Sequence, residues 1–347
     1  MRSFDKDYLA RIPLSHRLSQ TLLALGEWKG HQELYARQTP QVLETLREAA
    51  IIQSTESSNR IEQVTAPLRR IQDLVAQKTT PANRSEEEIA GYRDVLNTIH
   101  ANFRDIPFTV GVVLQLHRDL YAHTLTPGGR FKMADNEIRE TYADGTVAVR
   151  FKPLSAVETP AAMDLLHERF SQAWEAGDVT RVLLVPAYVL DFLCIHPFTD
   201  GNGRMARLLT LLLLYHAGFE VGRYISLERI VERSRETYYE ALGLSSQGWH
   251  EGQHTLLPWT EYFLGVVTAA HKEFESRVGK LTSARGAKRQ MVLDAIAHSY
   301  GTFTVADLQE ACPNVSLDFI RLLLKKEREA GRVECLDRGP KARWRRV

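Results

Sequence analysis

Twelve residues near the middle of the chain, His196-Pro197-Phe198-Thr199-Asp200-Gly201-Asn202-Gly203-Arg204-Met205-Ala206-Arg207, gather the side chains that phosphoryl-centred chemistry needs. The apolar run Ala187 to Ile195 reads as a helix, and Pro197 both drives His196 out of αR geometry and lacks the N–H that would continue the ladder. His196 is therefore expected at a helix tip. Its near-neutral intrinsic pKa suits a general base, although a helix C-terminus favours the imidazolium form that a base must avoid. Gly201 and Gly203, with Asn202 between them, let successive N–H groups turn toward one concavity and form an anion nest. Arg204 opens a second helix, Met205 to Ala217, whose unpaired N–H groups and positive dipole end face the same place. Arg204 and Arg207 are three apart, hence on one face, and can grip successive phosphates as bidentate donors. Asp200 is the one carboxylate in the turn, and Mg²⁺ beside phosphates usually takes few protein ligands.

This arrangement resembles the Fic family, whose motif is H-P-F-x-[D/E]-G-N-G-R-x-x-R, and residues 196–207 match it at every specified position. The resemblance implies an all-α fold, a Fic-type helical bundle with a β-hairpin flap, and the activity of a protein adenylyltransferase that moves AMP from ATP to a Ser, Thr or Tyr hydroxyl of a protein, itself included. In that reading His196 takes the proton of the attacking hydroxyl and Asp200 holds Mg²⁺. Gly201, Asn202, Gly203, Arg204, Met205, Ala206 and Arg207 bind the nucleotide, with the two arginines on its β- and γ-phosphates. Phe198 reads as a core anchor for the loop. Two other readings stay open: transfer of a different group, UMP or a phosphoryl, by the same site, and a DNA-binding regulator whose nucleotide site is a sensor.

The elements that must position these residues follow from periodicity. From Gln41 a helical pattern runs through Val42, Leu46, Ala49, Ala50 and Ile52 to Ser58 and Glu62, before Pro67 breaks it. Ser58 and Glu62 share a face and resemble the [S/T]-x-x-x-E-[G/N] inhibitory motif of one class of Fic proteins. That resemblance implies an ion pair between Glu62 and Arg207 in the resting protein. Gln63 departs from the motif, so the helix is expected to end differently and to hold Glu62 less firmly. Residues 1 to about 40, with breakers at Pro13, Gly26, Gly30 and Pro40, read as short helical pieces of a lead-in strap. Two scaffold helices follow over 85–126, the first capped by Ser85 ahead of three acids and the second restarted at Pro107-Phe108-Thr109. Residues 136–142 and 146–151, joined through Ala143-Asp144-Gly145, read as a hairpin. By resemblance it is the flap, 138–151, on which a target protein docks. Ala161 to Trp174 and Val182 to Ile195 are helical, Ile225 to Leu242 continues as a helix, and Trp259 to Phe274 is a further one. Arg233 and Tyr239 are assigned to the nucleotide by resemblance, as part of the wall beside the adenine.

The last segment reads as a separate unit. Thr282-Ser283-Ala284-Arg285-Gly286 looks like a linker, followed by helices from Lys288 to Ser299 and from Ser316 to Ala330, a turn at Pro313-Asn314, and strands around Val333–Leu336 and Ala342–Trp344. The order resembles a winged helix. Arg321, Lys325, Lys326, Arg328, Arg338, Lys341, Arg343, Arg345 and Arg346 make it the basic end of a chain whose net charge is +1. DNA and a protein both remain candidate partners. The expected domains are 1–84 (N-terminal helical region with the inhibitory helix), 85–279 (catalytic core) and 280–347 (winged-helix-like). Composition is that of an ordinary globular chain, with 44% hydrophobic and 25% charged residues, so any electrostatic function must be local. Three dispersed cysteines favour a reducing cytoplasm over a disulfide framework or a zinc site. The longest apolar run is too short to span a bilayer, so no membrane partner is expected.

Overall fold

A computed structural model describes residues 3–5, 8–9, 12–13, 15–38, 40–141, 145–278, 284–297, 299, 301–313, 315–337, 339 and 342–346. The chain is built around two consecutive helices, α7 (Arg181–Ile195) and α8 (Asn202–His216), which pack on each other and are buried on nearly every side. Their sequences are apolar all round, which suits only a helix enclosed by others. Around α8 lie α4 (Arg84–Asn102), α5 (Val110–Leu120) and α2 (Pro40–Ile61), while α6 (Thr159–Ala176) covers α7. The helices α9 (Leu227–Arg233), α10 (Arg235–Ser246) and α11 (Leu257–Val278) complete the bundle, with α1 (His16–Gln38) against α11 and the short α3 (Leu68–Val75) against α2.

Several boundaries differ from the sequence reading, each for a local reason. Residues 16–38 form one helix through Gly26 and Gly30, because two glycines cost only about 1 kcal/mol each and packing on α11 overrides that. The cap of α4 is Asn83, whose side chain accepts from the Glu86 N–H at 3.0 Å, and not Ser85. Residues 225–242 are not one helix: Ser234, at φ −114° and ψ 33°, separates α9 from α10 and turns its hydroxyl to the Ile230 carbonyl and Tyr262. Gln63 does not change how α2 ends. It takes the left-handed conformation itself, φ 63°, with Val64 N–H donating to Asn59 O and Gln63 N–H to Arg60 O, both at 3.0 Å. That is the Schellman pattern a glycine would give, held here at a strain of roughly 1 kcal/mol.

The hairpin is β1 (Ile138–Thr141) against β2 (Val147–Phe151), antiparallel, with Arg139 opposite Val149. Tyr142, Ala143 and Asp144 of the expected turn lie outside the described residues. The C-terminal region has its own core of Met291, Val292, Phe303, Leu308, Ile320 and Leu324. Its elements are α12 (Ala284–Ala297), β3 (Thr302–Thr304), α13 (Val305–Ala311), α14 (Leu317–Glu329), β4 (Val333–Cys335) and β5 (Arg343–Arg346), with sheet order β3-β5-β4. Ala284, Arg285 and Gly286 are already helical where a linker was expected, while residues 282–283, Asn314, Arg338, Pro340 and Lys341 lie outside the described residues. This core also takes in Ala49 of α2, and Gln53 Nε2 donates to Ala311 O at 3.2 Å.

Candidate active site

Helix α7 ends at Ile195 because Pro197 has no N–H to offer, and His196 becomes its left-handed cap at φ 52° and ψ 61°, donating its N–H to Phe192 O at 2.9 Å. His196 Nδ1 lies 3.3 Å from Leu193 O. A carbonyl can only accept, so Nδ1 carries the proton and Nε2 is left as the basic nitrogen. Burial above all, with the Lys132 cation adding to it, pulls His196 down to about 4, against the opposing pull of the Leu193 carbonyl, Glu62 and Asp200. Against the pull of the helix terminus, the imidazole is held in its neutral form.

The loop after His196 is anchored by Phe198, on a partner that the sequence did not disclose. Phe198 stacks on the His117 ring at 3.6 Å with 3° between planes. His117 Nδ1 accepts from Gly129 N–H at 2.9 Å, which leaves Nε2–H to donate to Asp200 O at 3.1 Å. Burial drives His117 down to about 4, so the ring is neutral and can do both. Nothing in the spacing of His117 from the motif signals this role.

The N-terminus of α8 departs from expectation at several positions. The helix begins at Asn202, so only Gly201, at φ 80°, is a turn glycine, and Gly203 is helical. A Cβ at position 203 would meet the Glu62 carboxylate, which lies over the helix N-terminus, so a side chain there would push Glu62 aside. The Asn202 side chain cradles no phosphate: it accepts from Phe198 N–H at 2.9 Å and donates to Phe198 O at 2.8 Å, leaving only its backbone N–H for an anion. Met205 and Ala206 are buried in the core, and the Met205 N–H donates to Gly201 O. Arg204 is equally withdrawn. It is 1% exposed and donates to Glu88 Oε2 at 2.6 Å and to Tyr121 Oη at 3.0 Å, which ties the start of α8 to α4 and to the end of α5. Arg207 is held by α2: Nε donates to Ser58 Oγ at 2.8 Å, and Nη2 to Ser58 O and Glu62 Oε1, both at 2.9 Å.

A cavity of about 280 Å³ joins His196, Gly203, Arg207 and Glu62. Ile138 and Phe151 of the hairpin and Tyr238 and Tyr239 of α10 close its walls. Arg150 ties hairpin to helix, donating to Tyr239 O and lying 5.2 Å over the Tyr239 ring. Tyr239 is therefore at the site, and Arg233 is not: it lines a separate polar crevice with Glu56, Arg60, Glu232 and Glu310. Asp200 is exposed on the loop; its Oδ1 accepts from Gly201 N–H at 2.6 Å and Oδ2 stands 3.8 Å from Arg204. Among the described residues no three His, Cys, Asp or Glu side chains gather into a metal cage. The donor set fits a hard cation such as Mg²⁺ that takes one carboxylate oxygen, Oδ2, and completes its shell with water and substrate phosphate.

His196 at one helix tip, the N-terminus of α8 directly after it and the hairpin alongside line one cavity in a helical fold. Residues 107–214 match the model of the Fic/DOC family. The chain resembles, in fold, the crystal structure of a Fic family protein from Desulfovibrio desulfuricans G20, with a TM-score of 0.63 at 22% identity over 96% of this chain and 97% of that one. A Fic domain containing signaling protein from Bacteroides thetaiotaomicron gives 0.59 at 22% identity, covering 76% of this chain and 98% of that one. In sequence it is 26% identical over 215 residues to a protein adenylyltransferase Fic of Drosophila sechellia. That match covers 59% of this chain and 39% of the relative, so the chain spans less than half the length of the curated relatives it matches. Residues 107–214 thus carry the likeness to the Fic/DOC family, and the fold around them is shared with the Fic proteins above.

Proposed function

We propose that the protein transfers AMP from ATP to a hydroxyl of a protein substrate, its own chain included, and that Glu62 restrains the reaction. The observation carrying this reading is that an unprotonated His196 Nε2, the N-terminus of α8 and Arg207 line one cavity. The backbone N–H groups at the start of α8 would hold the phosphates and Arg207 the outermost one, leaving the α-phosphorus toward His196. The hydroxyl oxygen then bonds to that phosphorus, its proton passes to Nε2, and the bond to the bridging oxygen breaks to release pyrophosphate. Mg²⁺ on Asp200 would supply charge neutralisation on the phosphates. Positioning and electrostatics supply most of such catalysis, and this site offers both.

In the resting chain the Glu62 carboxylate sits where an anion would bind and takes up Arg207. ATP must displace it or bind with its γ-phosphate elsewhere, which misplaces the α-phosphorus. The hairpin pairs only with itself among the described residues, so its outer edges can take an extended target segment by main-chain hydrogen bonds. For the C-terminal region a protein partner is favoured over DNA, because Arg321, Arg343 and Arg345 are paired with Asp318, Asp337 and Glu334. A titration against DNA over a salt range checks that choice. The three cysteines are unbridged, which suits the cytoplasm.

Incubation with ATP and Mg²⁺ followed by mass spectrometry should show an adduct of AMP mass on the chain or a target, and a UMP or phosphoryl adduct would instead identify the other transfers. His196→Ala should lower the rate by 10²- to 10⁴-fold while ATP still binds. A rate within a few-fold of wild type would remove His196 from the role of base.

A further inference from the structure

The proposed reaction needs a neutral histidine at the one place in a helix that most favours a charged one. Carbonyls left over at a helix C-terminus stabilise a cation, and His196 stands among those of α7. Another cation is already there. Lys132, 3% exposed, donates from Nζ to Ile195 O at 3.1 Å and to Asn136 Oδ1 at 2.9 Å. Its backbone N–H donates to Pro197 O at 2.8 Å. Asn136 in turn donates from Nδ2 to Phe198 O at 3.2 Å. Lys132 thus spans the peptides on both sides of His196, and its two side-chain acceptors are a carbonyl and an amide, neither of which cancels its charge.

We propose that Lys132 is a positioning residue that takes the cation-binding end of α7 in place of the imidazolium, and so keeps His196 a neutral base with Nε2 unprotonated. This role of Lys132 presupposes the proposed one of His196 as the base, while its effect on the imidazole follows from the contacts alone. The ammonium meets the α7 carbonyl end, so a second positive charge next to it gains less from the helix and is repelled by the first. The same side chain braces a left-handed residue that the backbone would otherwise relax. Burial lowers Lys132 itself to about 8, against the opposing pull of the Asp135 carboxylate nearby, so it is charged at neutral pH and close to titrating above it.

Other charged groups face the same imidazole. Glu62 from α2 and Asp200 from the loop favour its protonated form. Arg207 from α8, Glu137 and Arg150 from the hairpin, and Tyr238 and Tyr239 from α10 line the cavity it opens on. Only Lys132 among these is bonded to the helix end that carries His196.

The test is an NMR titration of the His196 ring in the full-length chain, without ATP or target, with the signal assigned by its loss in His196→Gln. Wild type should stay neutral down to about pH 5. Lys132→Gln keeps a donor for Ile195 O but removes the charge, and should raise the midpoint by about one pH unit, tenfold in the protonation equilibrium. Lys132→Arg should restore the wild-type midpoint. In wild type the neutral ring should also register an inflection near pH 8 that Lys132→Arg abolishes, a readout that survives if Lys132→Gln does not fold. An unchanged midpoint in folded Lys132→Gln, or no inflection where that variant does not fold, overturns the proposal. The acid limb of AMP transfer should move up with the midpoint. If the midpoint moves and no form transfers AMP, the proposed activity fails and the role of Lys132 stands.

Discussion

Arg204 and Arg207 stand one turn apart on α8, with side chains 2% and 7% exposed, yet they are fastened from different parts of the molecule. Arg204 is held by Glu88 of α4 and by Tyr121 just past α5, elements that enclose the site. Arg207 donates its three close hydrogen bonds to the end of α2, two to Ser58 and one to Glu62 just past its last residue. The carboxylates differ in the same way, since Glu88 is 7% exposed and Glu62 33%. A charge paired inside the fold can be unpaired only by damaging the fold. One paired by a half-exposed residue at a helix end can be released while the rest stays in place, as a switch requires.

The comparison predicts opposite outcomes for removing the two acids. Glu88→Ala leaves a buried guanidinium short of its counter-charge and should cost about 3–5 kcal/mol of stability, read as a large drop in the denaturation midpoint. Glu62→Gly should cost less, about 1.5–3 kcal/mol, because it removes one charge-assisted hydrogen bond from a carboxylate at a partly solvated helix end. Similar losses from both would erase the distinction.

Activity should separate them next. A charge-assisted hydrogen bond contributes about 1.5–3 kcal/mol, so Glu62→Gly should raise the initial rate of protein-bound AMP formation by roughly ten- to a hundredfold. Because Gln63 ends α2 in the regular left-handed way, nothing in that turn argues for the lower end of the range. Arg207→Ala in the Glu62→Gly background should cancel the gain. An unchanged rate in Glu62→Gly would make Glu62 a solvated helix end.

The smallest effect concerns the outer side of α2, where the C-terminal region docks through Ala49, through Gln53 and through Arg60, whose Nη1 lies 3.4 Å from Glu310. Gln53→Ala removes one hydrogen bond of about 0.5–1.5 kcal/mol and should raise basal AMP formation about two- to tenfold by loosening the helix that carries Glu62. The same change in the Glu62→Gly background should have no effect, since nothing remains to release. A gain that persists there would mean the docking acts elsewhere.

Much of the site was legible because its chemistry is carried by residue type and short-range spacing. Pro197 had to end α7 at His196, Gly201 had to turn, and the hairpin and the bundle's main helices followed from alternation and period. What spacing could not decide is which neighbour each side chain meets. Residues three apart on a helix point about 60° from each other, enough for Arg204 to reach α4 while Arg207 meets α2. The same limit placed Met205 and Ala206 in the core, sent Arg233 to another crevice and used the Asn202 side chain on Phe198. Lys132 and His117 were out of reach for a stronger reason. Their partners lie 63 and 83 residues away in the chain, and neither contact has a local pattern, so only the packed structure brings a buried ammonium to the end of α7 and a neutral ring beneath Phe198.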